Sequence, residues 1–193
     1  VSDNIYTPPE STVVDTQTSE TPFYVVSPLK FCILFASTMS FYSLYWFDQH
    51  WTLYKRAHRL NVIPVLRAVF SIFFVHSLFG AIEILAFDKD ETNKFSANMW
   101  AAMYIVSVIA LRFMSRMTNN DVFSPQELLI YIVLIVLTGI PLLKAQILAN
   151  IACDDPEGRT NRKFNITNIL FVVVGTVFWS LCIIGAFMDI DAT

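Results

Sequence analysis

The sequence predicts an all-α fold: a polytopic membrane helical bundle of about five transmembrane helices, or four plus a re-entrant first segment, with one interfacial amphipathic helix. Composition is the first observation behind this. Of 193 residues, 55% are hydrophobic and 15% charged, where an ordinary soluble domain carries about 25% charge. Seventeen phenylalanines against five glycines and a mean hydropathy of +0.53 point the same way. The second observation is a series of apolar runs of about 20 residues, each able to cross a ~30 Å hydrocarbon core at 1.5 Å per residue. The third is what lies between them: short polar loops, with no internal repeat and no soluble domain.

Residues 1–24 are rich in Ser, Thr and Pro and carry four acidic residues and no Lys or Arg. Too little apolar surface is available there to offset the entropy of ordering, so a disordered acidic tail is expected. A signal peptide is not expected, because residues 1–22 lack a basic region followed by an apolar one. The opening Val fits a literal translation of an alternative bacterial start codon, or trimming. The membrane domain is expected over 25–189.

Ser27-Pro28 has the chemistry of a helix start, a hydroxyl N-cap followed by Pro at the first helical position. Helix 28–47 follows. Its aromatic end, Phe41, Tyr42, Tyr45, Trp46 and Phe47, has the amphipathic rings of a headgroup-level belt. Over 48–60, Phe47, Trp51, Tyr54 and His58 share one helical stripe flanked by Lys55, Arg56 and Arg59, which predicts an interfacial helix on anionic lipid. Asn61 and Pro64 end that pattern. Helix 64–87 carries His76, Gly80 and Glu83 on one face. Helix 98–117 ends in Arg112 and Arg116, which can snorkel to headgroups. Ser124-Pro125-Gln126-Glu127 is a capping box opening helix 125–149, with a kink expected at Gly139–Pro141. Helix 167–188 offers Gly175, Thr176, Ser180 and Gly185 for close helix contact.

The run FYSLYWFDQHW and, after it, RAVFSIFFVHSLF resemble a family of small uncharacterised bacterial inner-membrane proteins. That family shows an aromatic FY-x-x-YWF…NW segment, then P-x-x-RA-x-F-x-x-FF-x-x-SLF. The opening SDNIYTPPES is similar to its NPY-x-x-P start. The resemblance covers roughly the first 80 residues. Asp48-Gln49-His50 departs from it, standing where an aromatic-basic-Asn run is usual. It implies a small bacterial membrane protein and assigns no activity or site residue.

The net charge of -3 matters less than its placement. Lys and Arg favour the cytoplasmic side. Segment 48–67 is therefore expected inside, loop 88–97 outside, Arg112 and Arg116 inside, and loop 150–166 outside. A spanning first helix puts the N-terminal tail outside; a re-entrant one puts both tails inside. The expected location is the bacterial inner membrane.

For chemistry, His76 and Glu83 are the intramembrane polar candidates, since ionisable groups in a bilayer are expensive. They lie two turns, about 10 Å, apart along the axis, and bond only through a water or another helix. Trp51, Tyr54, Lys55, Arg56 and Arg59 are the lipid-headgroup candidates. No metal site and no cofactor is expected: His50 and His58 are eight residues apart on one helix, and only His76 lies in an expected span. No nucleophile elbow, Cys-His pair or phosphate loop is present, and all three cysteines read as unpaired. The basic surface is too small for nucleic acid. The expected function is that of a non-enzymatic accessory or assembly component working through helix–helix contacts. Its partners would be the bilayer with its anionic headgroups and a membrane protein or a second copy of the chain. The alternative is a small transporter or permease subunit with a proton or cation path at His76 and Glu83.

Overall fold

The computed structural model describes residues 21–91, 94–117 and 124–188. Among these the chain is helical, with no strand. The helices are α1 (Pro28–Ser37), α2 (Tyr42–His58), α3 (Pro64–Val69), α4 (Ser71–Phe87), α5 (Ala97–Met117), α6 (Pro125–Ala152) and α7 (Ile166–Met188), with a 3-10 turn at Arg159–Asn161. Three of them, α5, α6 and α7, are long and apolar enough to cross a membrane. The expected tail falls largely on residues 1–20, outside the described residues. Its last part is not free chain, because Phe23 is fully buried.

The helix starts follow the local chemistry. The Ser27 hydroxyl accepts from the Lys30 amide at 3.3 Å, with Pro28 next to it. At α6, the Glu127 carboxylate takes the Ser124 amide at 2.8 Å while the Ser124 hydroxyl takes the Glu127 amide at 3.3 Å. Each cap satisfies amides that a helix start leaves open. α6 runs on through Gly139 and Pro141 to Ala152.

The first expected helix, 28–47, is corrected: it breaks after Ser37, and the chain turns back. Thr38 makes the turn. Its hydroxyl donates to the Leu34 carbonyl at 2.7 Å and accepts from the Tyr42 amide at 3.0 Å, tying the end of α1 to the start of α2. Met39 and Ser40 adopt positive φ angles of 50° and 71°. The two helices then pack antiparallel. Phe31 meets Tyr42 and Trp46, Tyr24 meets Tyr45 and His50, and Phe23 stacks on Tyr54 at 5.5 Å.

Two further expectations change with that turn. Of the aromatic belt, Tyr42, Trp46 and Phe47 are core, while Phe41 and Tyr45 stay exposed. The interfacial helix 48–60 is the continuation of α2, and it is buried against the bundle as far as Trp51. The expected helix 64–87 is also broken, at Phe70, whose ψ of 34° is not helical. Residue type does not call for that break; tertiary contacts accompany it. The Arg67 guanidinium lies 4.2 Å from the Trp51 ring and 5.0 Å from the Phe74 ring. Just past the bend, the Ser71 and Tyr104 hydroxyls are 3.1 Å apart.

The α1–α2 pair is wedged against α6 and α7. A Cβ on Gly139 would press on the Phe35 ring, and one on Gly175 would overlap the Ser37 carbonyl. The Trp179 indole donates to the Ala36 carbonyl at 2.8 Å. Towards the start of α1, buried Lys30 donates to Asn161 Oδ1 at 2.7 Å and to the Lys163 carbonyl at 2.8 Å. The tip of the pair thus sits near the midpoints of α6 and α7, and both its open ends lie at the end where α6 finishes and α7 begins.

That geometry corrects the expected sidedness. Tyr54 stacks on Phe23, the Phe23 carbonyl accepts from the Cys153 thiol at 3.6 Å, and Lys89 pairs with Asp154 at 2.8 Å. The basic end of α2, the end of α4 at Lys89 and the 150–166 loop therefore share one end of the bundle. Arg112 and Arg116, near the C-terminal end of α5, lie towards the other.

Candidate functional site

His76 and Glu83 are not brought together. His76 is exposed on the outer side of α4. Glu83, half-buried, accepts the Ala97 amide at 3.3 Å and so serves the start of α5. A carboxylate there suits the partial positive charge of a helix N-terminus. A Cβ on Gly80, between them, would meet nothing within 4 Å.

The lipid-headgroup candidates divide. Trp51 is withdrawn from that set: it is 0% exposed and lies under Arg67. Tyr54 is occupied between Phe23 and His58. Lys55 is half-buried, and Arg56 and Arg59 are exposed. Among the described residues none of these three cations has an ion-pair partner, so the ledge is reduced to its outermost turn. Arg59 itself caps α2 in the left-handed region, φ 51°.

The polar centre lies elsewhere. Trp46, His50, Gln146 and Asn150 are all 0% exposed. Gln146 Oε1 accepts from Trp46 Nε1 at 2.5 Å and stands 3.3 Å from His50 Nε2. With that oxygen accepting, Nε2 carries the imidazole proton, and Nδ1 is left buried with no partner. The Gln146 amide nitrogen donates to the Tyr24 carbonyl at 2.9 Å and to Asn150 Oδ1 at 2.7 Å. One turn on, Asn150 donates to the Val26 carbonyl at 2.9 Å and accepts the Val26 amide at 3.3 Å. Residues 24–26 are extended chain with no strand neighbour, and these two carboxamides supply the partners a sheet would give. Buried polar groups must be paired, and here the pairing fixes where the first helix pair enters. Gln146 and Asn150, at i and i+4 on an apolar helix, were the available signal in the sequence.

Two cavities flank the turn between α1 and α2. One, of about 360 Å³, is bounded by that turn, the α3–α4 bend, α5 and α6; its polar lining is Ser40, Ser43, Ser71, Tyr104, Arg112, Ser115, Tyr131 and Thr138. The other, of about 260 Å³, is almost wholly apolar and lies between the turn and α7. Met39 and Phe41 line both.

Among the described residues no group of three His, Cys, Asp or Glu side chains has the arrangement of a metal site. The three cysteines are free thiols. Burial pushes the Cys153 thiol up to about 11, away from the thiolate a nucleophile needs. Comparison of the chain with protein-family models, with curated proteins and with solved structures finds no match.

Proposed function

We propose that the chain is a multi-pass membrane protein of non-enzymatic type, an accessory or assembly component that acts through helix contacts. Three helices span, and the α1–α2 pair enters the bilayer and leaves on the same side. The observation that carries the reading is α7. Only Gly175 and Ala186 of its 23 residues are buried. The helix is held to α1 near its midpoint and leaves the rest of a long apolar surface for lipid or the helix of a partner. Buried Gln146 and Asn150, by contrast, are engaged in holding the fold.

The resemblance of residues 41–79 supports a bacterial inner-membrane setting. The end carrying Lys55, Arg56, Arg59, Lys89 and the Arg159–Lys163 segment is the cytoplasmic one by the positive-inside rule. Three spans then place the two tails on opposite sides. A proton or cation path through His76 and Glu83 has less support, since one is exposed and the other caps α5.

Native mass spectrometry and crosslinking from α7 positions, in mild detergent, test the proposal. A dominant partner crosslinked at Phe171 or Phe178 supports it. A monomer with no crosslinked protein contradicts it.

A further inference from the structure

We propose that the cavity around Arg112 binds the phosphate group of an anionic membrane lipid, with the acyl chain lying in the apolar cavity across Met39 and Phe41. The volume, about 360 Å³, is within the roughly 300–1,000 Å³ of small-molecule sites. Among the described residues its lining joins one guanidinium to several hydroxyls and includes no carboxylate. Among the described residues Arg112 has no ion-pair partner. An unneutralised cation on a helix of spanning length is expensive, and a phosphate is the group whose oxygens match the guanidinium fork.

The plain alternative is that Arg112 merely reaches towards the headgroup layer. Both arginines are exposed, and Arg116, one turn on, fits that description because it does not line the cavity. Arg112 differs. Tyr104, Val108, Leu111, Arg112 and Ser115 lie on one stripe of α5 and all face the cavity. Long helical side chains lean towards the N-terminus, which carries the Arg112 side chain back towards Val108 and Tyr104. Ser43 and Ser71 stand in the first turns of α2 and α4, whose partial positive charge adds to that of Arg112.

The wall of the cavity is also where the backbone is strained. Met39 and Ser40 both take left-handed φ, a conformation that costs energy in non-glycine residues and collects at ligand sites. The lipid source, rather than free phosphate, follows from the neighbouring cavity of about 260 Å³, whose lining is apolar and shares Met39 and Phe41. A headgroup and a chain thus have adjoining places on the two sides of one turn.

The test uses the full chain in mixed micelles holding equal phosphatidylglycerol and phosphatidylcholine, with retained lipid read by native mass spectrometry. Phosphatidylglycerol should be retained preferentially. Arg112→Gln should lower that retention about tenfold or more, the loss of a charge-assisted hydrogen bond, and Arg116→Gln should leave it unchanged. Val108→Phe, which fills the cavity and keeps the charge, should also lower it, and it decides the matter if Arg112→Gln fails to fold. Equal retention in the unsubstituted protein, Arg112→Gln and Val108→Phe overturns the proposal. Inorganic phosphate titrated against lipid-free protein is the second arm. A saturating thermal shift assigns the site to a free anion and overturns the lipid source, and the absence of one, with lipid retained, supports it.

Discussion

Asn150 holds Val26 by both of its backbone groups, donating to the carbonyl at 2.9 Å and accepting the amide at 3.3 Å. The two residues are 124 positions apart. The pair joins the segment before α1 to the end of α6, and it fixes the side from which the α1–α2 pair enters. Replacing Asn150 by Leu, close to it in volume, leaves two buried backbone groups unpaired. The expected cost is roughly 1–3 kcal/mol for each unsatisfied group, read as a lower midpoint of unfolding in detergent. Asn150→Asp keeps an acceptor for the Val26 amide and no donor for its carbonyl.

The glycines separate in the same way. Gly175→Ala places a methyl group onto the Ser37 carbonyl, which is backbone and cannot rotate away. Overpacking of that kind costs about 1–3 kcal/mol and should part α7 from the helix turn, weakening a crosslink between positions 36 and 179. Gly80→Ala meets open space and should be neutral or stabilise by roughly 0.5–1 kcal/mol, the ordinary gain of Ala over Gly in a helix. Comparing the two melting temperatures checks both.

Glu83→Gln tests the transport alternative. The amide oxygen can still accept the Ala97 amide, so only the charge at the start of α5 is lost. That effect is about 0.3–1 kcal/mol. In proteoliposomes the unsubstituted protein should show no proton or cation flux, and the variant should match it. Flux that disappears in Glu83→Gln would restore the path.

Asp155 gives the loop at 153–165 a pH dependence. The Thr160 amide donates to its carboxylate at 2.9 Å, as does the Arg159 amide at 2.9 Å. The bond from Thr160 above all holds the carboxyl below its ordinary 3.8. A depressed folded value means that this contribution is complete above the unfolded value and is lost as pH falls through the folded one. Hydrogen exchange at Arg159 and Thr160, corrected for intrinsic rate, should rise below about pH 3.8. In Asp155→Ala it should be high and flat across the range.

Features carried by nearby residues could be read in the sequence. Ser27-Pro28 and the Ser124–Glu127 box open helices as their side chains require, and the length and apolarity of α5, α6 and α7 speak for themselves. The turn at 38–41 was not legible. It contains no Gly or Pro, and Ser37, Thr38 and Ser40 pass for small hydroxyls inside an apolar helix. The Thr38 hydroxyl, serving the last turn of α1 and the first amide of α2, ties the break together with the positive φ of Met39 and Ser40. With that turn, Tyr42, Trp46 and Phe47 move from belt to core and Trp51 from lipid to protein. The basic end of α2 lies on the side of loop 150–166 because residues 64–87 do not carry the chain across. His76 and Glu83 stood out by residue type alone. The polar residues that meet, His50 and Gln146, are 96 apart and needed the turn to bring them together.

The α1–α2 pair returns to the side from which it came. A membrane-impermeant maleimide tests it in sealed vesicles of known orientation, with Cys32, Cys153 and Cys182 replaced by Ser. Single cysteines are introduced as Thr21→Cys, Arg56→Cys, Arg162→Cys and Arg116→Cys. The fold predicts that positions 21, 56 and 162 label from one side and position 116 from the other. Labelling of 21 and 56 from opposite sides is the result expected of a first helix that spans, and it would contradict the fold.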